Sequence, residues 1–347
     1  MSSAEAAPEL DTPGAPAPEL LRGVQLSKFF VAPRAGLKKQ RIVRAVQEAS
    51  IEIAPGETVG LVGESGSGKT TLGRLLLRLV EPTFGQVWFD GREITHYHER
   101  DLRPLRRSLQ VLFQDAAAAL DDRLTVGEIL AEPLRIHGLT RERTRALTRV
   151  KERERVAELL RTVQLPMELS SRRPAELSSG QCQRLSIARA LALRPRFIVC
   201  DEPIASLDAV DQLRIVELLG ALQREHGHSY LFISHDLRMV LHLSQRVLVM
   251  YAGRVVESGD ARTLREHARH PYTRALLHAV PEVDPKRRRL RVLLEGEPPS
   301  PFEPTLGCPF HPRCPRALPD PCQHEAPPLQ ATAPGGRHEV ACWYPLT

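Results

Sequence analysis

Eight residues, Gly63-Glu64-Ser65-Gly66-Ser67-Gly68-Lys69-Thr70, follow the apolar run Thr58-Val59-Gly60-Leu61-Val62 and fit the pattern G-x-x-x-x-G-K-[ST]. Glycines let backbone N–H groups turn inward around phosphates. A lysine at this spacing reaches the β and γ oxygens, and the hydroxyl behind it can ligate Mg²⁺. Leu72, Leu75, Leu76 and Leu79 then recur at i, i+3, i+4 and i+7, the spacing of one helix face. The loop therefore lies between a strand and a helix N-terminus, where unpaired N–H groups and the helix dipole favour an anion. A glycine-rich turn with a chance lysine would lack that context. The expected ligand is a nucleoside triphosphate.

A second group of chemically capable residues closes another apolar run. Arg196-Phe197-Ile198-Val199-Cys200-Asp201-Glu202 delivers two adjacent carboxylates to the C-terminal end of a buried-type strand. Ligands of α/β sheets bind at that end. Asp201 can hold the Mg²⁺ of a nucleotide, and Glu202 can orient or deprotonate an attacking water. Upstream, Leu177-Ser178-Ser179-Gly180-Gln181 opens a helical stretch with small polar residues, another anion-favouring helix start. Downstream come Ala205-Ser206-Leu207-Asp208 and the run Tyr230 to Ile233, which ends in Ser234-His235-Asp236.

The elements that must position these groups alternate. Gln86 to Phe89, Phe197 to Cys200, Tyr230 to Ile233 and Val247 to Met250 read as strands separated by helical stretches. That alternation predicts an α/β core with a largely parallel sheet. From about Asp122 to Pro174 the chain is dense in Arg and Glu with periodic Leu and Val, which predicts a helical insertion. Residues 1–22, with Pro8, Pro13, Pro16 and Pro18 and no apolar stretch, read as a disordered tail rather than a signal peptide or anchor. After Gly259 the chain becomes rich in Pro and Cys.

Bulk properties set the outer limits. At 347 residues the chain exceeds one typical core, so about two domains are expected. With 42% hydrophobic and 26% charged residues it has an ordinary globular composition. No apolar run approaches the length of about 18 residues that a membrane span needs. The formal charge of +6 suits a phosphate ligand, an anionic membrane face or nucleic acid, and does not choose among them.

Taken together, Gly63 to Thr70, Leu177 to Gln181, Asp201 with Glu202, Ser206 to Asp208 and His235 resemble the ordered motifs of ABC transporter ATP-binding subunits, over roughly residues 23 to 260. The resemblance implies a P-loop NTPase fold: a RecA-like α/β core with a mixed sheet, a helical subdomain at about 122–185 and a small C-terminal extension at 261–347. It further implies ATP and Mg²⁺ as cofactors. Gly63, Glu64, Ser65, Gly66, Ser67, Gly68, Lys69, Thr70 and Thr71 would hold the nucleotide, with Phe30 stacking on adenine. Thr70, Gln114 and Asp201 would serve Mg²⁺, and Glu202, His235, Lys69 and Gln114 would be catalytic. Ser178 and Gly180 would face the phosphates bound by a second subunit, so a chain with one copy of each motif must pair with itself or a sister ATPase. The usual family signature L-S-G-G-Q has Ser179 at its first glycine here.

Arg269-His270-Pro271-Tyr272-Thr273-Arg274-Ala275-Leu276-Leu277, Glu295-Gly296-Glu297-Pro298-Pro299-Ser300-Pro301 and Gly307-Cys308-Pro309-Phe310-His311-Pro312-Arg313-Cys314-Pro315 resemble the C-terminal extension of oligopeptide and dipeptide importer ATPases. Thr125 to Leu134 resembles the second of the two ATPases such importers carry. Gln114, in Leu112-Phe113-Gln114-Asp115, resembles the family's Q-loop glutamine, and Ala116 to Ala119 departs from the Pro and Tyr that usually follow it. Cys308, Cys314, Cys322 and Cys342 follow C-x5-C-x7-C-x19-C. Four thiolates suit a 4Fe-4S cluster or tetrahedral zinc, and similar importer tails imply the cluster. The bland alternative is that these cysteines only pack a loop-rich tail.

The implied function is hydrolysis of ATP to energise peptide import, at the cytoplasmic face of membrane-spanning permease subunits served by an extracellular solute-binding protein. Nickel, glutathione or another small solute are alternative cargoes. A soluble ABC ATPase acting on ribosomes or nucleic acid is the alternative from another class, but one ATPase module with an importer-like tail argues for no nucleic-acid partner.

Overall fold

The computed structural model describes residues 19–31, 41–140, 142, 144–279, 296–300, 302 and 305–347. Most of the 1–22 tail therefore lies outside the described residues. The first strand nevertheless begins at Leu21, inside that stretch, because Leu20 and Leu21 are almost wholly buried.

Among the described residues, twelve strands form two sheets. The smaller is antiparallel in the order β2 (Ile42–Ile53), β1 (Leu21–Val31), β4 (Phe84–Phe89) and β5 (Arg92–Glu93). The larger runs β11 (Gln330–Ala331), β12 (Glu339–Val340), β10 (Arg254–Asp260), β9 (Arg246–Tyr251), β3 (Thr58–Val62), β8 (Ser229–Ser234), β7 (Phe197–Asp201) and β6 (Leu109–Leu112). From β9 to β6 the pairing is parallel; from β9 outward to β11 it is antiparallel. The expected run Gln86 to Phe89 is a strand, but it belongs to the antiparallel sheet.

The parallel strands are buried on both faces, which is why they read as unbroken apolar runs. In β7, Phe197 and Val199 enter one core with Val59, Leu61, Leu231, Ile233 and the inner face of the small sheet. Ile198 and Cys200 enter the other with Tyr230, Phe232 and the helices. The first core also takes α1 (Lys69–Leu76), whose Leu72, Leu75 and Leu76 are fully buried. Leu79 is 46% exposed, outside the stripe predicted for it. The helix ends first, because Arg78 takes a left-handed backbone and donates from Nε to the Ile94 carbonyl at 3.0 Å.

After β5 comes α2 (Glu99–Leu102), a single turn before β6. Between β6 and β7 the described residues hold helices and no strand: α3 (Val126–Ile136), α4 (Arg145–Thr162) and α5 (Ser179–Leu191). Thr125 starts α3 with a capping box; its Oγ1 accepts from Glu128 N at 3.3 Å, and Glu128 Oε2 accepts from Thr125 N at 2.8 Å. Leu130 and Leu134 of α3 pack with Leu159, Leu160 and Val163 from α4 and its C-terminal end. After β7 come α6 (Ala209–His226) and α7 (Leu237–Leu243); after β10 come α8 (Ala261–His267) and α9 (Pro271–Ala279).

The residues beyond 260 are not a detached unit. Glu257 of β10 pairs with Val340 of β12, and its fully buried carboxylate accepts from Arg269 N at 2.6 Å and His270 N at 3.0 Å. His338 Nε2 stands 2.8 Å from the same carboxylate. A buried carboxylate without these partners would be expensive, so the contacts bind the extension to the sheet edge.

Candidate nucleotide site

Parallel register brings the functional residues together. Val62 pairs with Ser234, Asp201 with Ile233 and Leu112 with Cys200, so β3, β8, β7 and β6 end at one edge. The loops leaving that edge carry Gly63 to Gly68, His235, Glu202 and Gln114 in the order of the strands. This is the carboxyl edge of an open α/β sheet, where ligands bind.

The phosphate loop is built tightly against its surroundings. A Cβ on Gly68, the left-handed N-cap of α1, would stand 2.1 Å from the Ala45 carbonyl oxygen. One on Gly63 would stand 2.1 Å from the Met250 carbonyl oxygen. Lys69 is 5% exposed, and its Nζ donates to the Gly63 and Glu64 carbonyls at 2.8 and 2.9 Å. Burial pushes its pKa down, against the opposing pull of Glu202, Asp201 and Glu64. The hydroxyl of Ser67 is buried with no hydrogen-bond partner. That vacancy in its bonding fits a phosphate oxygen.

The metal-side residues are also assembled. Thr70 Oγ1 donates to Asp201 Oδ1 at 2.8 Å, which joins the loop to the end of β7 and sets side by side two of the oxygens expected to hold Mg²⁺. Oxygen donors of this kind suit a small hard cation. Burial raises the Asp201 pKa, while the Thr70 hydrogen bond opposes it. Gln114 Nε2 donates to Glu202 Oε2 at 3.2 Å, and His235 Nδ1 is 3.6 Å from that same oxygen. Glu202 holds a left-handed backbone with φ near 48°, pinned by its N–H donating to the Ile233 carbonyl at 3.0 Å. Such a conformation carries strain, here at a residue aimed into the site.

A cavity of about 1040 Å³ opens over this array, lined by Glu64 to Thr71, Gln114 and Glu202. Its remaining lining was not foreseen from sequence: Val43, Arg44, Ala45 and Gln47 of β2, Tyr251 of β9 with Ala252 after it, and Glu297 to Ser300 with Thr305 from the tail. Phe30 is not among the lining residues. It is 40% exposed, pairs across the ladder with Val43, and carries the Lys28 ammonium over its ring at 5.2 Å. A lone aromatic in a bulged strand gave no signal of which strand would face the cavity.

Ser178 and Gly180 also lie apart from the cavity lining. Ser178 caps α5, its Oγ accepting from Gln181 N at 3.2 Å, and is exposed beside Ser179. Gly180 is buried, and a Cβ there would stand 2.6 Å from Asp211 Oδ2 of α6. Asp208 caps α6 by accepting from Val210 N and Asp211 N at 3.0 and 2.9 Å. A second groove runs from Gln114 and Asp115 past Ala118 and Ala119 to Glu132 and Arg189. Arg189 Nη1 donates to the Ala119 carbonyl at 2.6 Å, which fixes the alanine stretch after Gln114.

Cys308, Cys314, Cys322 and Cys342 all border one small cavity of about 20 Å³, and none forms a disulfide. Burial raises the thiol pKa of Cys308 to about 11 and raises those of Cys314 and Cys342. The donor set is that of a thiolate-bound metal, but among the described residues no group of three or more His, Cys, Asp or Glu converges closely enough to hold one. No helix among the described residues is long and apolar enough to cross a membrane.

Comparison with known proteins agrees with this geometry. The family "ABC transporter" matches residues 46–205, and the family "Oligopeptide/dipeptide transporter, C-terminal region" matches residues 256–322. A "Probable peptide ABC transporter ATP-binding protein" of Sinorhizobium fredii is 48% identical over 324 residues, 93% of this chain and 89% of that one. The oligopeptide transport ATP-binding protein OppF of Escherichia coli is 44% identical over 304 residues, 87% and 88% of the two chains. Among solved structures, the dimeric ATP-binding cassette MJ0796 in a post-hydrolysis state with ADP and Pi superposes with a TM-score of 0.61 at 28% identity, covering 70% of this chain and 99% of that one. A strand-ordered phosphate loop, adjacent carboxylates, a capped signature helix and relatives matched over most of their length lead to one conclusion: the chain belongs to the ABC transporter ATP-binding proteins, in the branch with the oligopeptide/dipeptide transporter C-terminal region.

Proposed function

We propose that the chain hydrolyses ATP to drive peptide import through an ABC transporter. The observation that carries this reading is the single array of Lys69, Thr70 with Asp201, and Gln114 with Glu202 and His235 at the carboxyl edge of the sheet. Bound Mg²⁺ would be held by Thr70 and Asp201 with Gln114 beside it, and would neutralise charge on the β and γ phosphates. Lys69 exchanges its two carbonyl acceptors for phosphate oxygens. Glu202 orients the attacking water and takes its proton, and His235 meets the γ-phosphate from the next loop. Catalysis is positioning and charge neutralisation, as in other phosphoryl transfers.

Ser178 and Gly180 serve the nucleotide of a second subunit, either another copy or a sister ATPase. Ser178 is exposed, and both residues lie outside the lining of the chain's own cavity, which supports that role. Phe30 stacks on adenine after the β1 and β2 ends adjust over the base; its pairing with the cavity-lining Val43 puts it one strand away. The groove beside Gln114 and Ala118 receives the membrane-spanning permease subunits, so the protein works at the cytoplasmic face of the membrane. Cargo reaches the permease from an extracellular binding protein. The names of the relatives favour peptides over nickel, glutathione or other solutes.

We further propose a 4Fe-4S cluster, with Zn²⁺ as the alternative, on the four tail cysteines, which share one cavity and form no disulfide but would have to draw together to hold it. Iron and sulfide analysis of anaerobically purified protein tests it: brown protein with about four irons per chain is expected, and colourless protein without iron contradicts it. For the transport reading, cells lacking the chain should lose uptake of labelled di- and oligopeptides while keeping nickel and glutathione uptake. Unchanged peptide uptake would contradict the cargo.

A further inference from the structure

The tail does more than close the sheet edge. Glu64, an anion within a loop built for anions, is gripped by Arg313, whose Nη1 and Nη2 donate to its two carboxylate oxygens at 2.8 and 3.1 Å. The Arg313 side chain is only 6% exposed, so its guanidinium is shielded from solvent, while the Glu64 side chain is 27% exposed. Arg313 Nη1 also donates to the Tyr251 hydroxyl at 3.3 Å, and Tyr251 lines the nucleotide cavity. Tyr272 accepts from Glu64 N at 2.8 Å, and its ring packs edge-on to Tyr251 with centroids 4.7 Å apart. Phe310 completes that aromatic cluster. The Glu64 carbonyl in turn holds Lys69. Glu297, Pro298, Pro299 and Ser300 form part of the cavity wall.

We propose that the C-terminal extension completes the nucleotide site in cis, with Arg313 as a positioning residue that neutralises Glu64 and holds the loop in which it stands. An uncompensated Glu64 carboxylate would repel a polyphosphate in proportion to its charge. A bidentate guanidinium removes that repulsion and holds the loop in one geometry. The inference rests on the reading of Gly63 to Thr70 as the phosphate site, which Lys69→Ala tests separately by loss of nucleotide binding.

The test is calorimetric titration of the full-length protein with AMP-PNP, ADP and AMP. Arg313→Ala should weaken AMP-PNP about tenfold, ADP less, and AMP less than about twofold, because the penalty scales with phosphate charge. Adding Glu64→Gln to that variant should restore AMP-PNP to within about threefold of wild type by removing the charge. Equal loss for all three nucleotides, no loss, or no rescue by Glu64→Gln would overturn the inference. If Arg313→Ala does not fold, Arg313→Lys keeps the charge and loses the fork; a loss of about threefold for AMP-PNP with AMP unchanged is expected, and unchanged AMP-PNP affinity overturns the proposal. Failure of the Arg313 series while Lys69→Ala abolishes binding would strike this inference and leave the phosphate site standing.

Discussion

Gly68 marks how little freedom the site has at the level of single residues. Its φ is +102°, and any Cβ would press on the Ala45 carbonyl oxygen. Gly68→Ala should therefore cost at least about tenfold in ATP affinity through loop distortion, measured by nucleotide titration. Affinity within twofold of wild type would contradict it. Lys69, Thr70, Asp201 and Glu202 were legible because their spacing is local and each follows an apolar run. Arg313, Tyr272 and Tyr251 were not. Arg313 meets Glu64 across 249 residues, and no local spacing encodes a contact made by the return of the tail to the sheet edge. Phe30 illustrates the same gap: an aromatic ring suits stacking on a base, but β1 is bulged, and its side-chain facing follows from the register.

At the scale of elements, strands covered on both faces were readable and strands of mixed exposure were not. β3, β7, β8 and β9 are continuous apolar runs, whereas β1 and β2 mix Lys, Gln and Glu with buried Leu26, Val46 and Ala49 through several register shifts. The helical insertion was legible from its Leu and Val period, and its N-terminal capping box has a measurable value. Thr125→Ala should destabilise the protein by about 1 kcal/mol, seen as a lower thermal midpoint with nucleotide affinity unchanged. An unchanged midpoint would contradict the cap.

A second element-scale prediction concerns acid. His228, at the start of β8, is buried, and its Nδ1 lies 2.7 Å from the Pro195 carbonyl. Burial depresses its pKa below the ordinary value near 6.5. As pH falls through that value the unfolded chain takes up a proton and the folded chain does not, so stability drops on the acid side. His228→Asn should flatten the fall of the thermal midpoint between about pH 7 and 5. An identical pH slope in both proteins would contradict the assignment.

For the whole molecule, the chain carries one phosphate loop and one signature segment, on which the proposal of paired subunits rests. The signature serine lies outside the cavity that holds Lys69. The tail that resembles an importer extension is woven into the same sheet through Glu257 and Val340, so its removal would disturb the ATPase core. Function in this account depends on hydrolysis at one array, and Glu202 is the residue through which it passes. The most direct measurement is ATP binding and phosphate release by the full-length wild type and Glu202→Gln with Mg²⁺. The account predicts that the variant binds ATP within about threefold of wild type and hydrolyses it at least about 100-fold more slowly. Near-normal turnover by Glu202→Gln would contradict it.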